Sequence, residues 1–195
     1  MIVISLVGDI GSGKTYVSKL LKIPCFSADI EVRKLYKKNK NCFYALKKKF
    51  PKFIKTFPIK KKELSDLIRS NISHLKKIGL IVHPFIRTKL KIFLKKHNNK
   101  KMVVLDIPLY LENKMNKKND IIVFLKTKEK DVEKILKKRK NYDKKILDIL
   151  KKSQFSLNKK KNKSNYMLVN NYNSVTMKKK VNKLKNEILN DRSSS

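Results

Sequence analysis

The residues Gly8-Asp9-Ile10-Gly11-Ser12-Gly13-Lys14-Thr15 constrain this chain more than any others. They follow a short β-branched run at residues 2–6. They precede residues 15–22, where Val17, Leu20 and Leu21 share one helical side. A continuous apolar run stopped by glycine suits a central strand of a parallel sheet, covered on both faces. The eight residues match G-x-x-x-x-G-K-[ST] in full, between a predicted strand and a predicted helix. Glycines there permit backbone angles closed to other residues and leave room for phosphate oxygens. Successive N–H groups then point into one concavity, and the helix N-terminus adds partial positive charge. The pattern implies a bound nucleoside triphosphate held by Gly8, Gly11, Ser12, Gly13, Lys14, Thr15 and Tyr16. Lys14 reaches the β- and γ-phosphates, and the Thr15 hydroxyl is a ligand for Mg²⁺. Asp9 is the awkward member, since a carboxylate so near phosphates is unfavourable unless it points to solvent.

Further along, residues 25–28 read as a second strand ended by Asp29, which is placed to cap a following helix. Residues 30–100 read as mostly helical. Pro51 and Pro58 bracket a loop, and Leu64, Leu67, Ile68, Ile72 and Leu75 recur at helical spacing. Pro84 is expected to open a helix through Leu94, with His83 held extended before it. Strands are expected at 102–105, 121–125 and 166–169, and helices at 131–139 and 175–189. Residues 141–163 are highly charged and read as a mobile helical lid followed by a loop. Strands alternating with helices in this way define an α/β chain with a parallel sheet.

Composition narrows the possibilities. Lys plus Arg total 51 against 15 Asp plus Glu, a formal charge of +36. Such a charge suits polyanion binding. However, nearly all of it is lysine in a chain also dense in Asn and Ile, as A/T-rich codons produce. The lysine runs at 47–49, 60–62, 159–161 and 178–180 read as solvated faces. Aromatics are only 8% with no stacking motif, so a nucleic-acid binder is the weaker reading. Cys25 and Cys42 stand far apart, which argues against a disulfide framework or zinc site and fits a reducing cytosol. The apolar opening lacks a basic leader, and no run approaches the ~18 apolar residues of a spanning helix. A cytoplasmic protein without a membrane partner is expected. The absence of Asn-Lys-x-Asp lowers a GTPase reading.

At Asp29 the chain begins to resemble a family. Residues 4–15 followed by Ser27-Ala28-Asp29-Ile30-Glu31-Val32-Arg33 resemble the dephospho-CoA kinases, whose GGIGSGKS loop precedes a D-A-D-x-x-A-R segment. Val82-His83-Pro84-Phe85-Ile86 resembles that family's L-H-P-L-I. Residues 104–113, VLDIPLYLEN, resemble its L-D-I-P-L-L-F-E. Arg139 falls at its lid arginine, Gln154 follows at its spacing, and Val169-Asn170-Asn171 resembles its final strand and D-N-N turn. The resemblance runs from residue 2 to about 190. Five departures stand out: Asp9 for glycine, Ser27 for the first Asp, Val32 for alanine, Lys140 for the aspartate after the lid arginine, and no arginine after Gln154, where Lys159, Lys160 and Lys161 lie instead. Lysine gives charge without the planar fork that grips phosphate bidentately.

The resemblance implies a phosphate-loop three-layer fold, with a five-stranded parallel sheet flanked by helices. It also implies one kinase domain over residues 1–195: a core at about 1–30, 100–135 and 165–190, a helical substrate region at about 30–100, and a lid at about 138–163. The implied reaction moves the ATP γ-phosphate, with Mg²⁺, to the ribose 3′-hydroxyl of dephospho-CoA. The partner would be a small molecule, with no specific nucleic acid, and the chain a monomer or weak homo-oligomer. Lys14 and Arg139 would neutralise phosphate charge. Asp29 at the end of the second strand, beside the phosphate loop, would orient the attacking hydroxyl and take its proton. Arg33, at i+4 from Asp29, would hold an anionic group of the substrate, or pair with Glu31. His83 with Pro84 would line the substrate pocket. Asp106 ends an apolar strand, where a carboxylate meets Mg²⁺ or its water shell. Glu112 reads equally as a helix-start charge or a pocket residue.

Overall fold

The computed structural model describes residues 1–138 and 142–193. The chain runs β1 (Ile2–Gly8), α1 (Lys14–Leu20), β2 (Cys25–Ser27), α2 (Ala28–Lys38), α3 (Lys40–Lys49), α4 (Lys61–Ser70) and α5 (Ser73–Lys96). It continues with β3 (Met102–Asp106), β4 (Ile121–Lys126), α6 (Glu129–Lys137), α7 (Lys144–Lys152), α8 (Leu157–Asn162), β5 (Tyr166–Val169) and α9 (Ser174–Ser193). Its described residues form two compact units.

The first unit takes the described residues of 1–27, 99–142 and 151–195. Its five strands are all parallel, in the order β2-β3-β1-β4-β5. β-Branched and large apolar residues fill β1, β3 and β4, as strands covered on both faces require. Side chains alternate between the faces. Ile4 and Leu6, Met102 and Val104, and Ile121, Val123 and Leu125 share one buried cluster with Val17 and Leu21 next to it. α9 completes that face with Met177, Val181, Leu184 and Ile188, a stripe at helical spacing. In register, Ser5 pairs with Leu105 of β3 and with Ile122 of β4, so β1 is central and the turn that follows it opens at the C-terminal edge of the strands. β3 lies between β1 and β2. The carboxylate ending the strand next to β1 is therefore Asp106, and β2 is the edge strand beyond β3.

The second unit takes residues 28–98 and 143–150. α5 packs against α2, α3 and α4. Leu35, Phe43, Leu46, Leu67, Ile78, Val82 and Ile86 are buried in it. Three details correct the sequence reading. The apolar spacing from Leu64 to Leu75 is not one helix, because Asn71 is extended (φ −160°) between α4 and α5. Asp29 lies within the first turn of α2, one residue past its start. Pro84 opens no helix: it sits inside the 24-residue α5, and His83 is helical. Proline has no N–H to give the Leu80 carbonyl. Leu80 is 68% exposed, so solvent can serve that carbonyl, while buried Val82 and Ile86 hold the helix on either side.

Residues 141–163 also differ from expectation. From residue 142 on they carry α7 and α8 rather than one helix and a loop. In the helical unit, Asp143 accepts from Arg69 Nε at 3.0 Å and also from Nη2, and it caps the first turn of α7 through Ile146 N at 3.2 Å.

Candidate functional site

The glycine loop is shaped by what leaves no room for side chains. Gly8 exits β1 at φ +151°, and a Cβ there would lie 2.8 Å from the Leu125 carbonyl oxygen. Gly13 caps α1 in the left-handed region at φ +89°, and a Cβ there would lie 2.5 Å from Asn170 Nδ2. Gly13 also brings no side chain to compete for the first-turn N–H groups of α1. Lys14 folds over the loop: its Nζ donates to Asp9 O at 2.7 Å and Gly8 O at 3.3 Å. The Asp9 carboxylate turns back on its own chain, where Oδ1 accepts from Ile10 N at 2.7 Å.

Thr15 and Asp106, 91 residues apart, are brought together by the neighbouring strands β1 and β3. Thr15 Oγ1 donates to Asp106 Oδ2 at 2.7 Å, and Asp106 is only 6% exposed. A hydroxyl and a carboxylate are the hard oxygen donors that Mg²⁺ takes, usually few in number with water completing its shell. The hydrogen bond points the hydroxyl proton at Asp106, so the Thr15 lone pairs are left for a cation. These residues fit the ion.

The surrounding unit adds groups that the sequence reading left unassigned. Lys160 is buried, contrary to its reading as part of a solvated run. Its Nζ lies 3.1 Å from Glu112 Oε1 and 3.3 Å from Gly8 O, and it donates to Gln154 Oε1. Glu112 Oε1 also accepts from Phe155 N at 2.9 Å. Glu112 is thereby neither exposed nor at a helix start. It ties the α7–α8 turn to the loop end of β1. The turn after β5 approaches from the other side, with Asn170 and Tyr172 donating to loop carbonyls.

The remaining expected residues belong to the helical unit. Asp29 and Arg33 occupy successive turns of α2, and Arg33 Nε donates to the Asp29 carbonyl at 3.2 Å. Glu31 pairs with Lys34 at 2.7 Å rather than with Arg33. His83 lies over Gly79, where a Cβ would come within 3.2 Å of the ring. Partial burial, and then the Arg87 guanidinium one turn on, lowers the His83 pKa below the ordinary histidine range. Pro84 follows it on an exposed stretch of α5. Arg139, expected as the lid arginine, lies outside the described residues, as does Lys140.

A glycine loop after the central strand of a parallel sheet, with a Thr–Asp pair at its exit, defines a phosphate-loop nucleotide-binding fold. A Thermus thermophilus protein of solved structure shares this fold with a TM-score of 0.74, at 22% identity over 94% of this chain and 95% of its own. The dephospho-CoA kinase from Campylobacter jejuni shares it at 0.64, with 20% identity over 95% and 96%. The family model for dephospho-CoA kinase matches residues 2–176, and this chain belongs to that family. The dephospho-CoA kinase of Wolbachia sp. subsp. Brugia malayi is 34% identical over 128 residues, 63% of this chain and 66% of that relative. The aligned stretch therefore spans just under two thirds of that relative's length. Among the described residues no helix is long and apolar enough to cross a membrane.

Proposed function

We propose that this chain transfers the γ-phosphoryl group of ATP to the ribose 3′-hydroxyl of dephospho-CoA, releasing coenzyme A and ADP. One phosphorus–oxygen bond forms to the ribose, the bond to the β-phosphate oxygen breaks, and the hydroxyl proton passes to Asp29. The observation that carries this reading is the complete glycine loop with Thr15 against Asp106, in a chain of the dephospho-CoA kinase family.

Phosphoryl transfer depends on positioning and charge neutralisation more than on covalent chemistry. Gly8 through Tyr16 cradle the nucleotide, and Lys14 leaves its loop carbonyls for the β- and γ-phosphates. Thr15 and Asp106 would hold Mg²⁺, which would supply positive charge to the phosphates. Asp29 accepts a hydrogen bond from the attacking hydroxyl and takes its proton late. Arg33 binds an anionic group of the acceptor, and His83 and Pro84 line its pocket. A neutral imidazole, favoured by the lowered pKa, suits that pocket role better than an anion-binding one. Arg139 would add positive charge at the phosphates, in a cytoplasmic kinase.

The test is phosphate transfer from ATP–Mg²⁺ by the purified full chain, with dephospho-CoA, adenosine, AMP, CMP and dTMP as separate acceptors. ADP release that depends on dephospho-CoA, with CoA as product, is the expected result. Turnover only with a nucleoside or nucleotide replaces the acceptor. Asp29→Asn should keep ATP affinity within a few-fold and cut turnover at least ~10²-fold. Near-normal turnover in that variant would remove Asp29 from the mechanism.

A further inference from the structure

Two carbonyls of the phosphate loop are held by the turn that follows β5. Asn170, 2% exposed, donates from Nδ2 to Ser12 O at 2.8 Å and accepts from Tyr172 N at 2.8 Å through Oδ1. The Tyr172 hydroxyl donates to Gly11 O at 2.8 Å. These contacts join positions 158 and 161 residues apart in the chain. Tyr172 makes its contact from a left-handed backbone, φ +59°. A bulky residue there is uncommon and persists only where its surroundings over-determine it. The Asn170 side chain does part of that by fixing the Tyr172 N–H.

The contacts act on the loop through peptide geometry. In a planar trans peptide, the C=O of one residue and the N–H of the next point in opposite directions. Holding Gly11 O therefore aims Ser12 N–H, which closes on Asp9 O at 3.2 Å. Holding Ser12 O aims Gly13 N–H away from Asn170. Asn170 also fills the space beside Gly13 where a Cβ would lie, so it bears directly on the loop.

We propose that Tyr172, supported by Asn170, is a positioning residue that presets the phosphate loop for nucleotide. The inference rests on the reading of residues 8–15 as the ATP site. Ordering a loop in advance raises affinity by removing that cost from binding. Tyr172 touches the loop rather than the reacting atoms, so its effect falls on ATP affinity and not on the acceptor.

The test is ATP–Mg²⁺ binding to the full chain by calorimetry without acceptor, together with thermal unfolding of the nucleotide-free protein. Tyr172→Phe removes only the hydroxyl. It should weaken ATP binding roughly three- to tenfold and raise KM for ATP by the same factor. KM for dephospho-CoA should stay unchanged, and the nucleotide-free Tm should fall by no more than about 2–6 °C. Tyr172→Gly removes the whole ring along with the left-handed strain, and its ATP affinity should fall at least as far as in Tyr172→Phe, with KM for dephospho-CoA unchanged. ATP affinity in Tyr172→Phe equal to wild type overturns the clamp alone. A wild-type chain that does not bind ATP at all overturns the ATP-site reading first, and the clamp with it.

Discussion

Lys160 and Glu112 put opposite charges where neither is solvated, with side chains 4% and 8% exposed. Removing one partner of such a pair leaves a buried charge uncompensated, at about 3–5 kcal/mol. For a chain of this size that is a loss of roughly 6–20 °C in Tm. Glu112→Gln and Lys160→Met should each show it in thermal unfolding, and the double variant should lose less than the sum. Additive losses would mean that the two charges do not support each other. Nothing local in the sequence distinguishes Lys160 from Lys159 and Lys161, because its partner lies far back in the chain, before β4. Lys14, Thr15 and Asp106 were legible for the opposite reason. Each stands at a fixed offset from a glycine or from the end of an apolar strand, and those offsets carry the geometry.

Among the elements, α5 is where local rules and packing disagree most. A proline reads as a helix boundary, since it removes one hydrogen bond and crowds the preceding turn. Burial of Ile78, Val82 and Ile86 keeps α5 continuous past it. Pro84→Ala gives the Leu80 carbonyl a backbone N–H one turn on and should raise stability by about 1–3 kcal/mol, read as a higher Tm. If Pro84 shapes the acceptor pocket as proposed, KM for dephospho-CoA should rise in the same variant with KM for ATP unchanged. An unchanged Tm would show that the helix already absorbs the proline without strain. The strands were easier to read than this helix. Runs of Ile, Val, Leu and Phe between glycine or charged residues admit few alternatives, whereas the order of those strands is a tertiary fact. That β3 separates β1 from β2 is visible only once they pair.

At the scale of the whole molecule, the charge of +36 surrounds a reaction in which the proposed substrates are anions. A field of that sign raises their encounter rate, and salt screens it over a Debye length of about 10 Å at 0.1 M. kcat/KM should therefore fall several-fold between about 50 and 300 mM salt, with kcat within about twofold. A flat profile would leave the lysines as a record of codon composition alone. The sheet also has a consequence for how the chain is made. Ile2 pairs with Met102 and Ile4 with Ile121, so both partners of β1 are translated long after it. At a synthesis rate of about 5–20 residues per second, β1 waits roughly 5–20 s for its first neighbour. During that interval its apolar edge is bare, so a nascent chain stalled before residue 102 should be a chaperone client, and one released beyond residue 188, with α9 on the sheet, much less so.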